Sequence, residues 1–133
     1  MSYNVKQVII IRKDLKMRRG KEISQGSHAS SAFMSNLLRS FISGCKPYIS
    51  AAEQEWIYGS FAKVVLQADS EEILLKICEV AYKEGIKAHL ITDNGITEFN
   101  GVPTITALAL GPDYSSILDK LTGPQGTFPL RLY

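Results

Sequence analysis

Residues Val5–Arg12 read VKQVIIIR, and from Val8 to Ile11 the run is unbroken apolar sequence dominated by β-branched side chains. Such residues favour extended backbone. Successive side chains of a strand point to opposite faces, so an unbroken apolar run presents apolar surface on both. The segment therefore predicts a central strand covered on each side, not one with a wet face. The rest of the chain must supply that cover.

It does so in alternating pieces. A helix is predicted over residues 21–43, with Gly44 as its stop. At ~100° per residue, Lys21, Gln25 and His28 fall within about 60° of one another. The same stripe continues through Ala32 and Ser35 to Arg39, and Ile23, Gly26, Ser30, Phe33, Leu37 and Phe41 form the opposite, mostly apolar side expected to be buried. Ser50 is placed to cap a short helix through Gln54–Tyr58, in which Trp56 is a packing residue.

Ala62–Gln67 (AKVVLQ), Lys87–Thr92 (KAHLIT) and Thr104–Leu110 (TITALAL) read as three further strands. Between the first two of these, Asp69 with Glu72 resembles a capping box, opening a helix that keeps Leu74, Ile77, Cys78 and Ala81 on one face. His89, in mid-strand, is read as structural. Asp113 is the expected N-cap of a last short helix that reaches Lys120 and stops near Gly123, and the tail through Phe128, Leu130 and Leu132 is expected to pack down.

The order β-α-α-β-α-β-β-α calls for a single domain, a three-layer α/β/α sandwich around a mixed four-stranded sheet. Right-handed crossovers make the helix-linked strands parallel, whereas the third and fourth strands lack room for a helix between them. The fourth strand is therefore expected to run antiparallel to the others.

At 133 residues and 45% hydrophobic composition, the chain is long enough for one buried core and too apolar to be disordered. Its longest apolar run is too short for a membrane span and too closely flanked by Lys6 and Arg12 for a secretory signal, so a cytoplasmic protein without membrane partners is expected. Cys45 and Cys78 match no CxxC spacing and are expected as reduced thiols. His28 and His89 lack companion ligands, so no metal site is expected. The net charge of +2 conceals a cluster: Lys6, Arg12, Lys13, Lys16, Arg18, Arg19 and Lys21 stand against Asp14 alone before residue 22. A basic cluster beside a polar helix face favours an anionic partner, and a phosphate backbone is the commonest large one.

No GxSxG elbow, HExxH pair, Walker loop or GxGxxG turn occurs, which leaves serine-esterase, zinc-protease, NTPase and dinucleotide chemistry without local support. What remains is Lys21 and His28 on the first helix, Asp93 and Thr97 on the glycine-containing connection after the third strand, and Thr104 or Thr106, which share a face of the fourth. In one reading these converge at a sheet edge, where a carboxylate beside an imidazole orients or activates water and the lysine stabilises negative charge or holds a phosphate. In the other, Asp93 is only a turn former before Gly95, Lys21 is solvated and His28 packs against a neighbouring element.

The pattern Met17-x-x-Gly20-Lys21-x-x-x-Gln25-x-x-His28-Ala29 resembles the signature of the type 2 peptidyl-tRNA hydrolases. Ile91-Thr92-Asp93-x-Gly95-x-Thr97-Glu98, Thr104-x-Thr106, Ala109-Leu110-Gly111-Pro112 and Leu118-Asp119-Lys120-Leu121-Thr122-Gly123 follow in the same order, so the resemblance covers essentially the whole chain. It implies a commonly dimeric, cofactor-independent enzyme that hydrolyses the ester joining a peptide or N-blocked amino acid to tRNA. By position it makes Lys21, His28, Asp93, Thr97 and a strand threonine, Thr106 or Thr104, the active-site set, with Gln25 in support and Arg18 and Arg19 suited to tRNA.

Two departures from the family pattern stand out. Glu98 occupies a position that is often glutamine, in a connection through Pro103 that is one residue longer than usual, and Arg18–Arg19 replaces a smaller, glycine-containing pair. The alternative that these departures raise is a noncatalytic tRNA-binding or protein-interaction module on the same fold.

Overall fold

The computed structural model describes residues 3–133. Its elements are β1 (Val5–Arg12), α1 (Arg19–Ile42), α2 (Ala51–Tyr58), β2 (Lys63–Ala68), α3 (Glu71–Lys83), β3 (Ala88–Asp93), β4 (Thr104–Tyr114) and α4 (Ser115–Thr122). The four strands form one sheet in the order β2-β1-β4-β3. β1 is parallel to β2 and antiparallel to β4, which is also antiparallel to β3, so β4 alone opposes the rest, as expected. Among the described residues, no helix is long and apolar enough to cross a membrane.

β1 is central, and its alternation sorts the layers. Val8 and Ile10 pack with Leu74, Ile77, Leu118 and Leu121 of α3 and α4 on one face. Ile9 and Ile11 pack with Met17, Ala29, Ala107 and Ala109 under α1 on the other. Val5, Phe33, Ala52 and Trp56 continue that second layer beneath α2. Trp56 is fully buried, lies edge-on to Phe33 with ring centroids 6.1 Å apart, and donates its indole N–H to Ala62 O at 2.8 Å. Ser50 caps α2 through a reciprocal box with Glu53.

The helix faces differ from expectation in one respect that matters for function. α1 is buried along Gln25, Ala29 and Phe33, whereas Ile23 and Phe41 are 65% and 71% exposed. Ala29 is small enough to let the helix approach β1 and β4, which centres the contact on its own line and draws Gln25, a member of the polar stripe, beneath the helix. A buried polar pair fixes that approach: Gln7 Nε2 donates to Ser30 O at 3.0 Å, and Ser30 Oγ donates to Gln7 Oε1 at 2.6 Å.

Two helix starts also move. β2 continues to Ala68, so Ser70 rather than Asp69 caps α3, its hydroxyl accepting from Ile73 N–H at 3.3 Å. β4 continues to Tyr114 because Val5 and Lys6 pair with Tyr114 and Asp113, so Asp113 lies in the strand and α4 begins at Ser115. The tail does pack: Phe128 and Leu130 join the α3/α4 core, while Leu132 bridges Leu66 along the edge of β2 with its side chain exposed. Cys78 packs against the same core.

Candidate active site

The first turns of α1 lie beside the C-terminal end of β3, and the connection of residues 94–103 closes over them. That connection is shaped locally. Gly95 has φ +82, and a Cβ there would stand 2.2 Å from Val102 O, so only glycine fits without backbone movement. Asp93 turns one carboxylate oxygen back, with Oδ2 accepting from Gly95 N–H at 2.9 Å, and Asn94 does likewise for Ile96 N–H at 3.0 Å. Gly101 N–H to Gly95 O and Val102 N–H to Phe99 O complete the loop at 2.8 and 2.9 Å.

Asp93 Oδ1 is left facing α1. Lys21 Nζ donates to it at 2.8 Å and to Thr97 Oγ1 at 2.7 Å, and Gln25 Nε2 donates to the same carboxylate oxygen at 3.3 Å. The turn-forming and site-forming roles of Asp93 are therefore one arrangement, each using a different oxygen. The Lys21 and Asp93 side chains are only 12% and 11% exposed, so the pair is largely shielded from solvent. Lys21 Nζ also lies 5.9 Å from the ring centroid of Phe99, within cation–π range.

Thr106 reaches this network because of a bulge. Ile91 pairs with Ala107 but Thr92 pairs with Ile105, so Thr106 is the extra residue on β4. The bulge changes the alternation, sending Ile105 to the α3/α4 core while Ala107 stays under α1. Fully buried, Thr106 donates to Gln25 Oε1 at 2.5 Å. That bond turns the amide so that its NH2 must face the carboxylate. Arg12 steadies the bulge from β1, with Nη1 donating to Ile105 O at 2.9 Å.

The lysine ammonium beside Asp93 holds its carboxyl below the ordinary carboxylate range, against desolvation and with help from Gly95 N–H and Gln25. The carboxylate is thus anionic at neutral pH, and the chain Thr106 → Gln25 → Asp93 ← Lys21 → Thr97 is fully oriented. Lys21 has a third N–H and Thr97 retains its own hydroxyl proton, so two donors remain for a ligand.

Of the residues singled out in the sequence, Lys21, Gln25, Asp93, Thr97 and Thr106 come together. Thr104 does not join them; its hydroxyl donates to Val102 O at 2.8 Å and ties down the end of the loop. His28 is on the same flank of α1 but exposed, and among the described residues no hydrogen bond links its imidazole to Asp93. The ammonium of Lys21 occupies the place beside the carboxylate. Arg19 is exposed, and Arg18 Nε donates to Glu98 Oε1 at 2.8 Å.

That last pair joins both departures from the family pattern: an arginine just before α1 and a glutamate next to Thr97 meet in an ion pair. Their opposite charge was the available signal. Phe99 and the bulge carried no such mark.

The family model described as Peptidyl-tRNA hydrolase PTH2 matches residues 5–126. The chain is 38% identical over 118 residues to a protein of Methanopyrus kandleri named peptidyl-tRNA hydrolase, spanning 89% of this chain and 93% of that one. A protein of the same name from Methanocaldococcus jannaschii is 34% identical over 119 residues, with 90% and 96% covered. Among solved structures, a protein of unknown function from Agrobacterium tumefaciens aligns over 99% of both chains with a TM-score of 0.51 at 18% identity, a likeness of fold.

Proposed function

This chain belongs to the peptidyl-tRNA hydrolase PTH2 family, and from that membership we propose how its site hydrolyses the ester of peptidyl-tRNA. The observation that carries the reading is the shielded Lys21–Asp93 pair, braced by Gln25 and Thr97, with Lys21 in a helix that begins at the end of the basic N-terminal segment.

Lys21 is held in position by the anionic Asp93. Its free N–H and the Thr97 hydroxyl are placed to stabilise the oxygen that becomes negative when the ester carbonyl is attacked. Water supplies the nucleophile: its oxygen bonds to the acyl carbon, the bond from that carbon to the ribose oxygen breaks, and the ribose oxygen leaves with a proton. Asp93 orients the water. His28, exposed one turn along from Gln25, carries the proton between water and leaving group. No cofactor enters this scheme. Arg19, with Lys13 and Lys16 on the preceding loop, takes backbone phosphates, and Arg18 does so through the guanidinium nitrogens not committed to Glu98.

The test is release of N-acetylated amino acid from N-acetyl-aminoacyl-tRNA, run beside the unblocked aminoacyl-tRNA. Turnover of the blocked ester by wild type and its loss in Lys21→Ala is the expected result. tRNA binding without turnover would instead support the noncatalytic module, a reading disfavoured by the hydrolase relatives. We place the reaction in the cytoplasm.

We also propose a homodimer that uses the other flank of α1. There Ile23, Met34, Phe61 and Val65 stand exposed around a groove of about 630 Å³ over β2, away from the catalytic residues.

A further inference from the structure

The flank of α1 that meets Asp93 continues along β3 beyond the site. On β3 the residues facing α1 are Asp93, Ile91, His89 and, just before the strand, Lys87, by two-residue alternation. Along α1, Gln25, Ala32 and Asn36 lie on the flank that faces them. The two elements run in opposite directions, so moving from the site toward the start of β3 means moving toward the end of α1. Four strand residues separate Asp93 from His89, about 13 Å, and eleven helix residues separate Gln25 from Asn36, about 16 Å. At that end lies a pocket of about 580 Å³ bounded by α1, residues 47–48, the end of α3 and the start of β3.

Phe33, Leu37 and Ile86 give the pocket an apolar wall, to which polar and aromatic groups are added. Tyr48 and Tyr82 line it with 82% and 85% of their surface exposed, so neither ring is used in the core. Asn36 and Ser40 offer amide and hydroxyl groups. His89 lines the same pocket, and its Nδ1 is a buried nitrogen with no hydrogen-bond partner. Lys87 is held at the rim by Glu53 at 2.6 Å, over the Phe33 ring at 5.0 Å. Arg39 and Lys46, next in sequence to lining residues Ser40 and Pro47, form no ion pair among the described residues, against Glu84 on the acidic side.

We propose that this pocket binds the single-stranded nucleotides that precede the esterified 3′-terminal nucleotide of tRNA. Exposed aromatic faces that accept any base, polar groups for base edges and flanking cations are the parts of a single-strand binding platform. The proposal rests on the hydrolase reading, because the ester at Lys21–Asp93 fixes where the 3′ end lies. The groove on the opposite flank of α1 is lined mostly by apolar side chains, whereas this pocket adds the hydroxyl and amide groups of Tyr48, Tyr82, Ser40 and Asn36 to its apolar wall.

The test uses the full chain and the double variant Tyr48→Ala/Tyr82→Ala, whose exposed rings leave the core untouched. Binding of a fluorescent ACCA ribotetranucleotide is measured by anisotropy, and kcat/KM is measured for N-acetyl-aminoacyl-tRNA and for the N-acetyl-aminoacyl ester of adenosine alone. Wild type is expected to bind the tetranucleotide. The double variant is expected to bind it on the order of tenfold or more weaker, to lose a similar factor in kcat/KM on tRNA, and to keep its rate on the adenosine ester. Asp93→Asn is expected to bind the tetranucleotide normally while losing turnover. Equal tetranucleotide binding by wild type and the double variant overturns the proposal. So does a defect that grows with the length of the acyl peptide instead of the nucleotide chain. Failure of the hydrolase reading would show separately, as no turnover of any ester by wild type.

Discussion

At the scale of residues, the site turns on one carboxylate with two jobs. Asp93 Oδ2 makes the turn and Oδ1 anchors Lys21 and Gln25, so the same side chain shapes the loop and charges the site. Its folded pKa is lowered, chiefly by the bond from Lys21. The stability this contributes is fully present above the ordinary carboxylate value of about 4 and is lost as pH falls through the lowered folded value. The stability gap between wild type and Asp93→Asn, followed by urea unfolding, is therefore expected to stay constant from pH 7 down to about 5 and to shrink only near and below about 4. A gap that closes between pH 5 and 7 would mean that Asp93 is not held as an anion.

At this scale the sequence was informative about identity and silent about contact. Lys21, Gln25 and His28 share a flank by helical arithmetic, but which of them meets Asp93 depends on how the helix sits. Burial of Ala29 decides it, bringing Lys21 and Gln25 to the carboxylate and leaving His28 in water.

At the scale of elements, the loop and the bulge do the positioning. The bulge places Thr106 beneath Gln25, and the two-residue alternation that put Thr104 and Thr106 on one face could not choose between them, because only the strand register shows which one reaches α1. Gly95 sets the path of the loop. Gly95→Ala would need the left-handed region, at about 1–2 kcal/mol, and would drive its Cβ into Val102 O. The expected outcome is a loss of kcat/KM on N-acetyl-aminoacyl-tRNA larger than the fall in unfolding free energy alone explains, since displacement of Thr97 and Asp93 acts directly on the site. Near-wild-type kinetics would show that the loop does not need this turn. The N-cap at Ser70 and the helix start at Ser115 were missed for a related reason: strand pairing extended β2 and β4 past the ends of their apolar runs, and local capping signals at Asp69 and Asp113 lost to it.

At the scale of the whole molecule, the doubly apolar β1 and the short connection between the last two strands made the layers and the opposed direction of β4 legible. Tertiary surfaces were not. Ile23 and Phe41, assigned to the core by periodicity, are exposed. Ile23 borders the groove beside β2, and Ile23→Asp is expected to shift the protein toward monomer in sedimentation equilibrium while keeping the circular-dichroism spectrum of the folded chain. An unchanged association constant would remove that face from the interface.

The Lys21–Asp93 pair is the proposed centre of ester hydrolysis. Asp93→Asn keeps an oxygen for Gly95 N–H and so keeps the loop, while removing the charge that anchors Lys21. The direct measurement is kcat/KM of this variant on N-acetyl-aminoacyl-tRNA, with folding checked by circular dichroism. A fall of about 100-fold or more relative to wild type is the predicted result; a folded variant within about threefold of wild type would contradict it.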